Sequence, residues 1–352
     1  GEKKIKLGSY GKGRKPVLTT YKHVRKEFWE PVVDNLWRVK LSDAKTFYGF
    51  TDPWNLNIGF LKVGDKIRGS RKSDRSLLKE QWDFFADKEF LYVYSNANPG
   101  LNDVKVAANY CLIRLSNGME IYNLRLEGTG GHAIQGSVVN NVKIINVEIA
   151  DIGGSYLDGY AGGDVRYGNG IELWNGASSC IIKNCNISNV FDAAITMQGK
   201  GEDTYFQDVT IENNFCYRNG QSFEFWISGY KSGFKNCKFM NNACYDAGYG
   251  WSYGVRPDRK TAVHVLNYVY EVNSNDLIIS NNIFSGAKGG YMYVSANFRN
   301  HQKFISELNK IYLDEKQLID AMNSKLKIED SKLFIEQTGL ERKSKFNVIR
   351  KR

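Results

Sequence analysis

Three carboxylates, Glu172, Asp192 and Glu224, stand in short strand-like words that also carry Gln135, Trp174, Thr196, Gln198 and Trp226. If Ile134, Ile171, Ile195 and Phe225 point inward, strand alternation sends all eight outward onto one face. Two carboxyls on one face suit acid/base cleavage of a glycosidic bond. One protonates the leaving oxygen while the other activates water, and inverting enzymes hold the pair about 6.5–9.5 Å apart. Asp192 and Glu224 read as two positions and one coil apart, roughly 8 Å between Cα atoms. Glu172 is the third acid or base candidate. Register decides the pair. Asn184 to Ile195 and Asn213 to Glu224 are both 11 residues, so equal loops would align Glu224 with inward Ile195 and part the two acids.

A second chemistry uses other residues. β-Elimination needs a base beside a sugar carboxylate and a cation that neutralises it. Arg166 and Tyr167 in one insertion, Arg256 and Arg259 in another, and His132 and His264 are the candidates. Arg256 lies beside the aromatic words YGWSYG and LNYVYE, which makes it the best clamp. Trp174, Trp226 and Trp251 suit stacking on sugar rings, and Gln198 suits a hydroxyl. His264 stands opposite its neighbours Val263 and Val265 if that segment is a strand. His132 reads as a coil-end or core histidine. Asp151, Asp158 and Asp164, or Glu172 with Asp192, offer oxygen ligands that would suit Ca²⁺. No EF-hand spacing accompanies them, and no other cofactor is indicated.

These residues are positioned by a repeat. Six words share an apolar residue two positions before an asparagine and an apolar or thiol residue three positions after it. The asparagines are Asn123, Asn146, Asn184, Asn213, Asn241 and Asn281. Their intervals are 146−123 = 23, 184−146 = 38, 213−184 = 29, 241−213 = 28 and 281−241 = 40. Strand-like words at such periods mark an all-β solenoid, in which each coil packs on its neighbours. Inward asparagines stacked coil on coil would satisfy turn backbone. Second strands follow at His132–Gly136, Gly170–Trp174, Ala193–Gln198, Phe223–Ser228, Gly250–Val255 and Tyr291–Ser295. The long coils carry Asp151–Gly168 and Val255–Asp276, and such insertions collect on one face.

The repeat spans residues 101–300. Residues 1–100 read as a β region with strands at Lys6–Tyr10 and Lys15–Thr20, a short helix at Ser76–Gln81 and a hairpin of Trp82–Phe85 with Phe90–Ser95. This region opens or covers the solenoid. Phe304, Leu308, Ile311, Leu318 and Met322 fall near helical spacing, so residues 301–352 read as a helical cap with a basic tail. The net charge of +10 suits an anionic partner. No nucleic-acid motif accompanies the scattered basic residues, which argues against nucleic acid. No apolar run of about 18 residues offers a membrane span. The six cysteines form no CxxC pair; Cys216 and Cys244 share a repeat position and read as small inward hydrophobes.

With these words in hand, the chain resembles the right-handed parallel β-helix proteins of the pectate-lyase-like superfamily. The resemblance covers about residues 101–300. It implies a secreted or cell-surface protein acting on a polysaccharide, as a hydrolase, a lyase or a non-catalytic tailspike-like binder; no signal peptide is present in this chain. Locally, Asn169–Gly170–Ile171–Glu172 and Phe191–Asp192–Ala193–Ala194–Ile195 are similar to the polygalacturonase-type order. That likeness puts Asp192 at the family's general acid. Asn169 and Ala193 occupy its two base positions, so a hydrolytic base must come from elsewhere.

Overall fold

The computed structural model describes residues 5–41, 56–157, 165–256, 262–268, 270, 272–294, 304–314, 318–321, 324–327 and 331–349. The six repeat asparagines all adopt the left-handed conformation, with φ between 54° and 57°. Asparagine tolerates this region because its short polar side chain bonds locally. Each therefore turns the chain at the same point of its coil. The inward stack is built by the next residue, not by the repeat asparagine itself. Asn214, Asn242, Asn282 and Asn309 are buried. The backbone N–H of each of the first three donates to the Oδ1 of the next, at 2.8–2.9 Å. Asn214 Oδ1 in turn accepts from Cys185 N–H at 2.9 Å. The sequence reading placed the asparagine stack one residue too early.

Two long parallel sheets result. One is nine-stranded, and a single inward column runs through it: Leu18, Leu126, Ile149, Ile187, Cys216, Cys244, Phe284, Ile311 and Phe346. The cysteines are free thiols and, apart from Cys111, buried. The other sheet is 13-stranded and contains the wall strands Ile134–Asn140, Ile171–Lys183, Ala193–Lys200, Gln221–Met240, Val263–Asn267 and Gly290–Val294. Its inward column is Ile113, Ile134, Ile171, Ile195, Phe223, Val265 and Met292. These side chains fill the space between the sheets as one apolar cluster. Burial of this continuous column is what holds coil to coil, at about 25 cal/mol per Å² of apolar surface.

The solenoid extends beyond residues 101–300 in both directions. Lys6–Gly8 and Val17–Thr19 pair in parallel with Glu120–Tyr122 and Arg125–Thr129. Two four-stranded antiparallel sheets between residues 22 and 108 cover the flank and hold their own apolar cluster around Trp29, Leu61, Phe84 and Leu91. The expected hairpin is there, as Phe84–Ala86 against Phe90–Tyr94; the expected helix is a single 3-10 turn, Arg75–Leu77. At the other end, Ile305–Glu307, Lys310–Leu313 and Lys345–Val348 continue the coils. The helical spacing over 304–322 is thus strand, turn and strand: Leu308 takes the left-handed turn position at φ 60°. Met322 lies outside the described residues. A short helix, Ser331–Thr338, buries Phe334 against the end of the core. Gly250–Val255 is not a wall strand either. It forms a turn and the helix Ser252–Val255, and Val263–Asn267 takes the wall position.

Candidate active site

Register sets the outward face. Gln135, Glu172, Thr196 and Glu224 are successive partners in one column. Trp174, Gln198 and Trp226 form the next column. Glu224 is aligned with outward Thr196, and Phe223 with inward Ile195. The loop after Asn213 is one residue shorter than its predecessor, since 223−213 = 10 and 195−184 = 11. Glu172 and Glu224 therefore share a column two coils apart, about 10 Å between Cα atoms. Asp192 falls four positions from the Glu224 column, not two, which puts their Cα atoms about 14 Å apart. The expected Asp192–Glu224 spacing fails on this register.

One hydrogen-bond chain crosses five coils of this wall. Arg114 Nη1 donates to Gln135 Oε1 at 2.6 Å. Gln135 Nε2 donates to Glu172 Oε2 at 2.5 Å, and Gln198 Nε2 donates to Glu172 Oε1 at 2.6 Å. Trp226 Nε1 donates to Gln198 Oε1 at 3.0 Å and to Glu224 Oε1 at 3.1 Å. Asn169 Nδ2 reaches Glu172 Oε1 at 3.2 Å. His132 completes the set. Its Nδ1 accepts from Asn169 N–H at 3.0 Å, so its proton sits on Nε2, 3.1 Å from Glu172 Oε2. Four donors thus fill the lone-pair positions of Glu172, which fits an acceptor and not a proton donor. Both glutamates are buried beside this layer, with relative exposures of 3% and 2%.

The indoles stand next to them. Trp174 and Trp226 are half-buried and meet edge to face, with centroids 5.9 Å apart. Tyr270 lies 5.7 Å and Tyr268 6.4 Å from Trp226, and Tyr293 lies 6.2 Å from Tyr268. The wall thus carries a row of aromatic edges along its second column.

Beyond the Gln135 end, a cleft of about 230 Å³ is lined by Asn109, Cys111, Arg114, His132, Gln135, Leu157 and Tyr167. The hairpin Ser155–Tyr156 with Arg166–Tyr167 forms its rim. Gly168 allows that hairpin to close: at φ 129° it passes Gly153 so closely that a Cβ would sit 2.2 Å from the Gly153 Cα. Tyr167 donates to Asn109 Oδ1 at 2.5 Å and meets His132 edge-on at 4.9 Å. Burial pushes the Cys111 thiol up to about 11.

These elements match a known profile. The sequence profile of the right-handed β-helix region covers residues 89–267, more than half the chain. The chain belongs to the right-handed β-helix family. No curated protein matches this β-helix by sequence. Among solved structures, the complex of XylC with xylose aligns with a TM-score of 0.44 at 10% identity, over 88% of this chain and 59% of that one. A glycoside hydrolase aligns at 0.40 and 9% identity, over 95% and 83%. The tailspike protein gp49 from Pseudomonas phage LKA1 aligns at 0.18 and 10% identity, over 98% and 62%. The chain spans 59% of the length of the first. At such identities these likenesses assign no reaction to this β-helix.

The remaining sequence candidates lie elsewhere. Asp192 Oδ1 is held by Arg256 Nη1 at 2.8 Å, in a pair that is almost wholly buried. Arg256 and Arg166 flank the Phe191 ring at 4.8 and 4.7 Å. Arg166 donates to the carbonyls of Gly154, Val255 and Gly59. Both arginines are thus committed to joining the two insertions to the coil, and neither presents its charge outward. Trp251 donates to Asn189 O at 2.9 Å and packs between Phe60 and Phe191, where it anchors the N-terminal sheet. His264 is fully buried beside Ser222 and Phe284, and burial lowers its pKa to about 3; it is a core residue, away from the outer face of the wall. Asp151 is engaged by Lys62, at 2.5 Å, and by Asn189. Asp158, Asp164 and Arg259 lie outside the described residues. Among the described residues no three acidic, His or Cys side chains gather as a metal site, and no helix is long and apolar enough to cross a membrane. Arg114, Asn109 and Cys111 escaped the sequence reading because their coil lacks an asparagine word. The pairing of Ile113 with Ile134 marks that coil.

Proposed function

We propose that this β-helix is a secreted or cell-surface glycoside hydrolase that cleaves an anionic polysaccharide laid along the outer wall. The carrying observation is the Glu172–Glu224 column, two acidic residues whose Cα atoms lie about 10 Å apart, with indoles alongside. Side chains that lean toward each other across this Cα spacing would bring the carboxyls to the about 6.5–9.5 Å of the inverting arrangement. In this reading Glu224 protonates the leaving oxygen. Water, displacing one amide donor of Glu172, gives its proton to Glu172 and its oxygen to the anomeric carbon. A sugar ring stacks on Trp226, whose indole N–H donates to Glu224. Asp192 positions the second insertion through Arg256. The net charge of +10 supports the anionic substrate.

A second reading, a uronate lyase, draws on the cleft, where Tyr167 and Arg114 lie together. A glycan-panel digestion decides. Reducing ends without absorbance near 235 nm, lost by at least 100-fold in both E224Q and E172Q, support the hydrolase. Absorbance near 235 nm selects the lyase. Binding without turnover reduces the wall to a glycan-binding surface.

A further inference from the structure

Lys62 and Asp151 form a pair that the wall chemistry leaves unused. Lys62 stands on Ile58–Val63, a strand of one flanking antiparallel sheet. Asp151 stands on Glu148–Ile152 of the solenoid. They are 89 residues apart in sequence, and Lys62 Nζ lies 2.5 Å from Asp151 Oδ2. The two side chains are 15% and 9% exposed. Asp151 is the only charged partner of this ammonium among the described residues. Rings close the rest of the site. The Tyr21 centroid lies 5.7 Å from Nζ, Phe60 meets Tyr21 edge-on at 6.1 Å, and both rings are almost wholly buried. Burying an ammonium and a carboxylate costs their hydration, a cost that a neutral product avoids.

Two further groups are in place. Asp151 and Asn189 take the same corner of successive coils, both left-handed, at φ 55° and 53°. Asn189 Nδ2 thereby donates to Asp151 Oδ1 at 3.3 Å, and Trp251 Nε1 holds Asn189 through its carbonyl at 2.9 Å. On the other oxygen, the Tyr21 hydroxyl donates to Oδ2 at 3.5 Å. Burial raises the Tyr21 pKa well above its usual value, so the phenol keeps a proton to give. The carboxyl thus has a donor at the oxygen that would stay and an acid beside the oxygen that would leave.

We propose that Lys62 and Asp151 condense to an isopeptide bond, a covalent staple between the N-terminal flank and the solenoid. The ammonium passes one proton to Oδ2. The neutral amine then attacks Cγ, and negative charge gathers on Oδ1 against the Asn189 amide. Tyr21 gives its proton to the Oδ2 hydroxyl and regains one from the attacking nitrogen. The Cγ–Oδ2 bond breaks and one water leaves; nothing is oxidised or reduced. Contact within a rigid frame supplies effective molarities of about 10⁵–10⁸ M, and the ring-lined site opposes the reverse hydrolysis.

Intact-mass spectrometry of the full chain under denaturing conditions tests the staple. The parent is one water lighter than its sequence mass, and fragmentation of its digest joins the segments around Lys62 and Asp151. K62R and D151A have full sequence mass. K62R keeps the charge and the ion pair, so its result stands even where D151A fails to fold. D151N, whose leaving group is ammonia, ends at the same mass as the parent. A parent at full sequence mass, a water loss that survives in K62R, or a link mapped to other residues would overturn the assignment.

Discussion

Asn242 and its neighbour Asn241 offer the sharpest test of how the coils are held. Asn242 Oδ1 accepts from Asn214 N–H at 2.9 Å and from Asn214 Nδ2 at 3.0 Å. Its Nδ2 donates to Ile211 O at 3.1 Å and to Asn282 Oδ1 at 3.1 Å. In N242A, Asn214 Nδ2 keeps Ile182 O and Asn282 Oδ1 keeps the Asn242 N–H. Asn214 N–H is orphaned inside the core and Ile211 O loses a donor. An unsatisfied buried group costs about 1–3 kcal/mol and a lost bond about 1 kcal/mol, so N242A destabilises by about 3 kcal/mol. Asn241, at φ 56°, is exposed and serves only the turn. N241G is neutral or slightly stabilising, and N241A costs about 1–2 kcal/mol for a left-handed residue with a Cβ. The assay is equilibrium guanidinium unfolding of the three variants beside the parent. An N242A loss under about 1 kcal/mol, or a larger loss in N241A than in N242A, would refute the ladder reasoning.

Other outcomes follow from the same coordinates. W226A raises KM for the polysaccharide ten-fold or more, about 1.4 kcal/mol, while W226F keeps most of that binding but alters the pH profile of kcat, measured by initial rates. His264 has a pKa of about 3 in the folded state and an ordinary value unfolded. Its contribution is complete above about pH 6.5 and is lost as pH falls through that window, by up to about 1.4 kcal/mol per unit. Unfolding at pH 7 and pH 5 shows a fall that is about 2 kcal/mol smaller in H264Q. Glu341 behaves with the opposite sign. Burial raises its pKa among hydroxyls of Tyr291, Ser306 and Ser344 and the amide of Asn309. Its contribution is present at low pH and is lost as pH rises through the raised folded value. Hydrogen-exchange protection factors of residues 331–349, corrected for the intrinsic pH dependence of exchange, fall as pH rises in the parent and hold in E341Q.

The repeat was legible because each coil needs one left-handed turn, and asparagine announces it. The inward columns followed from alternation alone. The register was harder: a single residue fewer between Asn213 and Phe223 moves every outward side chain of that strand. It kept Glu224 on the wall but separated it from Asp192. The arginines misled for a different reason. Arg166 and Arg256 have partners 107 and 64 residues away in Gly59 and Asp192, and no local pattern shows that a charge is already engaged. Helical spacing over 304–322 arose because two short strands joined by a turn at Leu308 also place apolar residues three and four apart.

Arg114 and Trp226 close the wall chain with groups that only donate. Because neither end can accept, both glutamine amides are pinned in one orientation, each with its nitrogen aimed at Glu172. Rotating either amide would set N–H against N–H. The donors that Glu172 meets are thus dictated by a guanidinium and an indole two coils to either side of it. Replacing one terminus by an acceptor, as in R114E, would let an amide turn over and set its oxygen, instead of its nitrogen, against Glu172.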